Sequence, residues 1–254
     1  SINYRKAFRR GCMSKDVLNK VATEYHLNSR ISDKQFDKRF HTLCGAWVGG
    51  MISSSSRVLE MGFGEGNVTE QLLAVGAEVE IIEGSELLVE QARSIYGSRV
   101  LVHYDLFDDF RPASDFDFIL ATNVLEHVDD PIGTLSNILQ WCTESTRVVV
   151  TVPNSESIHR KLAVIMGLQP RLDSLSPRDH VVGHQRVYNF AQLSQQVLEA
   201  GFDIEEQRGF LLKVLPNSMM KDMSCELVDA FYEIANELPI QQTADIGVVL
   251  KKSS

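Results

Sequence analysis

The sequence predicts an α/β fold, a mostly parallel sheet with helices on both faces, and three observations lead to it. Apolar strand-like runs at 57–61, 78–82, 99–103, 116–120 and 147–152 alternate with helical patterns. Strands spaced in this way need crossover helices, and those helices cover the sheet on both sides. The stretches between the runs carry helix start and stop residues, and a glycine-rich turn follows the first run directly. The chain's 254 residues, 44% hydrophobic and 23% charged, are enough for one such domain with a small cap and exclude collagen-like, coiled-coil and mainly disordered chains.

The elements follow in order. Ser32 and Gln35 read as a capping box, with Phe36, Phe40, Leu43, Trp47 and Met51 behind them at helical spacing. That helix runs into Ser53-Ser-Ser-Ser56, a short joint, so 1–52 reads as a helical cap or lid on a main domain at 53–254. After the first strand, Asn67 and Glu70 read as a second capping box and Gly76 as a stop. Ser85 opens the next helix and Gly97 closes it, and Pro131 takes a first-turn position after Asp130. Beyond the fifth strand come Pro153-Asn154, a helix ending at Gly167, and a loop over 170–188 rich in charge and histidine. A helix over 190–200 stopped by Gly201, a strand at 203–215, a helix over 225–238 and a last strand at 244–251 complete the pattern. The final strands are joined by a helix and a short turn with Pro239, which predicts an antiparallel last strand.

The charge balance, 25 − 34 = −9, argues against a nucleic-acid partner. No apolar run approaches the roughly 20 residues of a membrane span, and the start of the chain has no apolar segment of a signal peptide. Cys12, Cys44, Cys142 and Cys225 lie far apart, without a CxxC pair, and read as reduced thiols of a cytoplasmic protein. A small molecule is the expected partner, with a homodimer possible.

The strongest local signal is Val58-Leu-Glu-Met-Gly-Phe-Gly-Glu-Gly66, a strand running into three alternate glycines and then a helix. Gly62, Gly64 and Gly66 remove Cβ atoms where the backbone turns tightly beside a ligand. A dinucleotide loop is spaced GxGxxG, whereas this one is GxGxG and follows an acidic residue, Glu60, which repels phosphate. A cationic or zwitterionic ligand fits better, and a nicotinamide-dependent oxidoreductase is the disfavoured rival.

The stretch Leu59-Glu-Met-Gly-Phe-Gly-Glu-Gly66 resembles the first motif of class I S-adenosylmethionine (SAM) dependent methyltransferases. Further stations follow in order over about 57–215. Glu83, with Gly84 and Ser85 after it, resembles the acidic residue that takes both ribose hydroxyls. Asp105 is similar to the residue that meets the adenine amino group, with Leu106 or Phe107 against the ring. Asn123-Val-Leu-Glu-His-Val-Asp-Asp-Pro131 resembles the fourth motif of the branch that holds ubiquinone-type O-methyltransferases and many natural-product enzymes. The resemblance implies a Rossmann-like seven-stranded sheet and SAM as cofactor. Glu60 is expected near the methionine amine or fixing the loop together with Phe63, and Asn123 near the sulfonium. Enzymes of this kind often close a helical lid with an aromatic and a basic residue, which nominates Tyr25 and Arg30.

Methyl transfer needs an acceptor held in line and, for a hydroxyl or amine, a base. His127, beside Glu126, is the candidate. His159 and Arg160 follow the fifth strand, and His184, Arg186 and Tyr188 alternate in the next loop, where an extended chain turns them one way. With Arg171 and Arg178 they form a cationic zone in an acidic chain, so the expected acceptor is a small anionic metabolite methylated on oxygen or nitrogen. No metal is expected, because no acid and histidine cluster of the catechol Mg²⁺ type is visible. A SAM-binding sensor without turnover is the remaining alternative.

Overall fold

A computed structural model of the chain describes residues 14–253; Cys12 and the first part of the expected cap lie outside the described residues. Helix α1 (Lys15–Val21) runs into a π-helical turn, Ala22–His26, and α2 (Lys34–Gly49) follows. Then come β1 (Arg57–Met61), α3 (Asn67–Ala74), β2 (Glu78–Glu83), α4 (Glu86–Tyr96), β3 (Val100–Tyr104), β4 (Phe118–Thr122), α5 (Pro131–Trp141) and β5 (Arg147–Pro153). The chain continues through α6 (Ile158–Ile165), α7 (Pro177–Val182), α8 (Phe190–Glu199), β6 (Phe202–Phe210), α9 (Asn217–Met220), α10 (Cys225–Ile234) and β7 (Asp245–Lys252).

The seven strands form one sheet in the order β3-β2-β1-β4-β5-β7-β6. β1 to β5 pair in parallel, and β7 inserts antiparallel between β5 and β6. Successive side chains of a strand point to opposite faces, and the core divides accordingly. Leu59, Met61, Ile119, Ala121, Val148, Val150, Ile246 and Val248 pack with Leu135 and Ile138 of α5 and Leu193 and Val197 of α8. Val58, Val79, Ile81, Leu120, Val149 and Val249 pack on the other face with Leu72 of α3, Leu88, Val89 and Ala92 of α4, and Val48 of α2. Leu120 is fully buried there, so truncation to Ala is expected to cost about 2–5 kcal/mol. A third cluster joins Phe36, Phe40 and Cys44 of α2 to Phe210, Leu211, Val228 and Tyr232, fastening the N-terminal helix to the β6 end of the domain.

Several helix signals act as expected. Asp130 accepts from Gly133 N at 3.0 Å ahead of Pro131, Ser85 caps α4, and Gly76, Gly167 and Gly201 stop helices at positive φ. Others are corrected. α2 starts at Lys34 with Asp33 before it, not at Ser32, and Asp33 makes no cap because its carboxylate takes Arg178 Nη1 at 2.8 and 2.7 Å. At α3 the cap position is Gly66, at φ 78°, and Asn67 is already helical. The 170–188 loop contains α7, opened by a capping box of Ser176 and Asp179. β6 ends at Phe210, short of the expected 215, because Leu211 turns to φ 61°. Cys44, Cys142 and Cys225 form no disulfide, and no helix among the described residues is long and apolar enough to cross a membrane.

Candidate active site

Strand order reverses between β1 and β4, and a crevice opens at the carboxyl ends of strands at such a point. A cavity of about 550 Å³ lies there. Its floor is the glycine loop: Gly62, Gly64 and Gly66 have φ of 81°, 56° and 78°, a region that favours glycine. A Cβ on Gly62 would meet nothing within 4 Å, so that backbone faces open space. Gly66 does not line the cavity; a Cβ there would lie 2.6 Å from Tyr96 Oη and 3.0 Å from the Phe63 ring.

Two buried carboxylates stand behind the loop. Glu83 accepts from Phe63 N at 2.9 Å and Ser85 N at 2.7 Å, and burial still raises it above the ordinary glutamate value against those amide bonds. Glu60 accepts from Thr69 Oγ1 at 2.6 Å, and burial, with Glu83 nearby, pushes it up to about 8. A ligand bringing positive charge would relieve both. Asp105 lines the cavity with Leu106, Phe107, Gly84 and Ser85, its Oδ1 accepting from Leu106 N at 3.0 Å. Two carboxylates, an open glycine cradle and an apolar slot match a cation that carries ribose and adenine, as SAM does.

The N-terminal segment covers this half. Leu18, Val21, Tyr25 and His26 line the cavity, and Asn19 Oδ1 accepts from Ser85 Oγ at 2.8 Å. Tyr25 donates to Asp37 Oδ2 at 2.5 Å, and Arg178 pairs with both Asp33 and Asp37, tying the π turn and α2 to α7. Arg30 is exposed and outside the cavity lining, whereas His26 lines it.

The other half is built on the turn after β4. Asn123 sits at φ 54°, tolerable for Asn, with its side chain tied to Thr151 Oγ1 at 3.1 Å and Asp245 Oδ2 at 3.4 Å. Glu126, His127 and His184 bring side-chain oxygen and nitrogen atoms within 4.8 Å of one another. The sequence shows no such acid and histidine cluster, because His184 arrives from a distant loop. That loop is stitched to the turn: Gln185 N donates to Glu126 O at 2.8 Å, and Arg186 donates to the carbonyls of Leu125 and Val128.

The expected cationic zone is largely consumed by such bonds. Arg186 and Tyr188 do not line the cavity, and Tyr188 Oη donates to Leu125 O at 3.3 Å. Arg160 lines it, yet is spent on Asp179 at 2.9 Å and on the carbonyls of Leu172 and Ser174. Arg171 pairs with Asp173 away from the lining. His159 lines the cavity, and burial, helped by Lys213 and Arg160, lowers it to about 2, so it stays neutral. Lys213, missed by the sequence reading, is a cavity cation that makes no ion pair among the described residues. Burial lowers it, against Asp37 and Asp245. Its signal was hidden in an apolar run read as strand.

Comparison with known proteins agrees with this geometry. The model of a methyltransferase domain matches residues 29–207, and the chain belongs to that family. A ubiquinone biosynthesis O-methyltransferase of Thiobacillus denitrificans is 29% identical over 161 residues, 61% of this chain and 68% of that protein. The CcbJ methyltransferase of Streptomyces caelestis superposes with a TM-score of 0.63 at 16% identity, covering 93% of this chain and 98% of that one. The 1,6-didemethyltoxoflavin-N1-methyltransferase of Burkholderia thailandensis, solved with S-adenosylhomocysteine, gives 0.62 at 14% identity, over 100% and 98%. The protein is a SAM-dependent methyltransferase with a Rossmann-like fold, not a nicotinamide-dependent oxidoreductase.

Proposed function

We propose that this methyltransferase methylates a hydroxyl oxygen of a small, anionic acceptor and releases S-adenosylhomocysteine. The observation that carries the reading is one continuous cavity, lined by the glycine loop and its carboxylates and by His127 and His184, with the buried Glu126 behind those two histidines. The named O-methyltransferase relative supports oxygen over nitrogen.

SAM, when bound, supplies an electrophilic methyl carbon on a sulfonium. On this reading Glu83 holds the ribose hydroxyls, and Asp105, Leu106 and Phe107 hold the adenine. Gly62, Phe63 and Gly64 approach the amino-acid part, with Glu60 toward its ammonium. Tyr25 and His26 close the lid against water. Asn123 and His127 flank the methyl, and Lys213, beside His159, receives the acceptor's anionic group. The acidic net charge supports a small-molecule partner rather than nucleic acid, and the free cysteines support a cytoplasmic setting.

The test is incubation with methyl-labelled SAM and paired hydroxyl compounds, with and without a carboxylate or phosphate, read by mass spectrometry. Methylation of the anionic members is expected. Exclusive methylation of amines, or of neutral compounds, would overturn the reading.

A further inference from the structure

His184 lines the cavity beside His127. Its Nδ1 lies 2.9 Å from Asp179 Oδ1. The other oxygen of Asp179 is held by Arg160 Nη2 at 2.9 Å and by the amide and hydroxyl of Ser176, both at 2.7 Å. Burial alone would raise Asp179, but His184 and Arg160 outweigh it and keep the carboxyl well below its usual range. A carboxylate fixed in this way holds the proton on Nδ1 and leaves Nε2 bare.

Nε2 faces Glu126, 4.0 Å from Oε1, and neither oxygen of that fully buried side chain has a hydrogen-bond partner among the described residues. His127, its ring 4.8 Å away, is a poorer base. Its Nδ1 is 3.3 Å from Gly183 O, and burial lowers it to about 3, too acidic to retain a proton taken from a hydroxyl.

We propose that His184, oriented by Asp179 and faced by Glu126, takes the proton from the acceptor hydroxyl, while His127 shapes the wall beside it. This rests on the O-methylation reading above. The O–H bond breaks toward Nε2, the hydroxyl oxygen forms the new O–C bond, and the C–S pair stays on sulfur. Positive charge leaves the sulfonium and reappears on an imidazolium held by the Asp179 carboxylate, so the pocket's net charge is unchanged. The imidazolium then returns its proton to water.

With a hydroxyl acceptor found in the labelled-SAM screen, His184→Ala is expected to lower kcat about 10²–10⁴-fold. Binding of S-adenosylhomocysteine should change less than twofold, and added imidazole should restore part of the rate. Asp179→Asn should lower kcat with little change in KM and move the acid limb of the kcat–pH profile, while His127→Asn keeps more than a tenth of the rate. Full activity in His184→Ala would overturn the proposal. So would activity abolished by EDTA and restored by Mg²⁺, which would give the three side chains to a cation. If no hydroxyl compound is methylated, the O-methylation reading falls. Histidine ¹⁵N spectra of the S-adenosylhomocysteine complex still judge the dyad: protonated Nδ1 with bare Nε2 supports it, and the reverse tautomer overturns it.

Discussion

Ser85 Oγ donates to Asn19 Oδ1 at 2.8 Å while also accepting from Leu88 N at 3.4 Å. One hydroxyl therefore caps α4 and fastens α1 over the cavity, two residues after Glu83. Removing the acceptor with Asn19→Ala is expected to cost about 0.5–1.5 kcal/mol. If α1 is a lid, that loss weakens S-adenosylhomocysteine binding up to about tenfold by calorimetry and speeds hydrogen exchange over 15–26, leaving the melting temperature nearly unchanged.

Gly66→Ala places a Cβ at φ 78° against Tyr96 Oη and the Phe63 ring. The left-handed conformation alone costs about 1–2 kcal/mol. A lower denaturant midpoint is expected, partly recovered in the Gly66→Ala/Tyr96→Phe double variant, which removes the hydroxyl but not the ring contact.

Stability of the ligand-free protein should fall on both sides of about pH 6–7. Burial raises Glu60 to about 8 and Glu126 to about 7, so each binds its proton more tightly folded than unfolded. That contribution is full below the ordinary glutamate value and is lost as pH rises through 7–8. Burial lowers His26 to about 4, His127 to about 3 and His159 to about 2, so the folded protein keeps them neutral. Their contribution is present above about 6.5 and is lost as pH falls toward those values. Thermal melts across pH should show the two limbs, and Glu60→Gln should flatten the alkaline one.

The same glutamate links protons to cofactor. If Glu60 faces the ammonium of SAM, binding tightens as pH rises through about 8 and releases a proton near neutrality. Calorimetry in buffers of different ionisation enthalpy measures that proton; Glu60→Gln should abolish it.

Lys213→Met should raise KM for an anionic acceptor more than tenfold and leave SAM binding intact, since Lys213 lines the cavity and is not committed to an ion pair among the described residues. An unchanged KM, measured by initial rates, would remove the anionic part of the proposed function.

The sheet was legible because its signals are local. Val58 to Met61 is a buried apolar run followed by glycines that must turn, and both can be read within ten residues. That Glu60, Glu83 and Asp105 would meet at one cavity was legible for the same reason: each ends or follows a strand, and strand ends fix position. The acceptor half was not. Arg160 and Arg186 read as free cations because a sequence does not show which carboxylate or carbonyl will absorb a guanidinium. Asp33 was passed over in favour of Ser32 because its partner, Arg178, lies in another helix. Lys213 was hidden because a strand was expected to continue through it, and the left-handed turn at Leu211 leaves no local trace in a leucine.

β7 is the last strand in chain order yet lies inside the sheet, between β5 and β6, and it delivers Asp245 to the cavity wall. A ribosome that has released β1 to β6 has therefore made the glycine loop, Glu83 and Asp105 but neither a finished sheet nor the cavity wall that carries Asp245. The emerging protein should form the glycine-loop end of the cavity before β7 adds the wall that carries Asp245. Chains cut before Asp245 would carry the glycine loop and Glu83 while exposing the unpaired edge of β5, a template for aggregation.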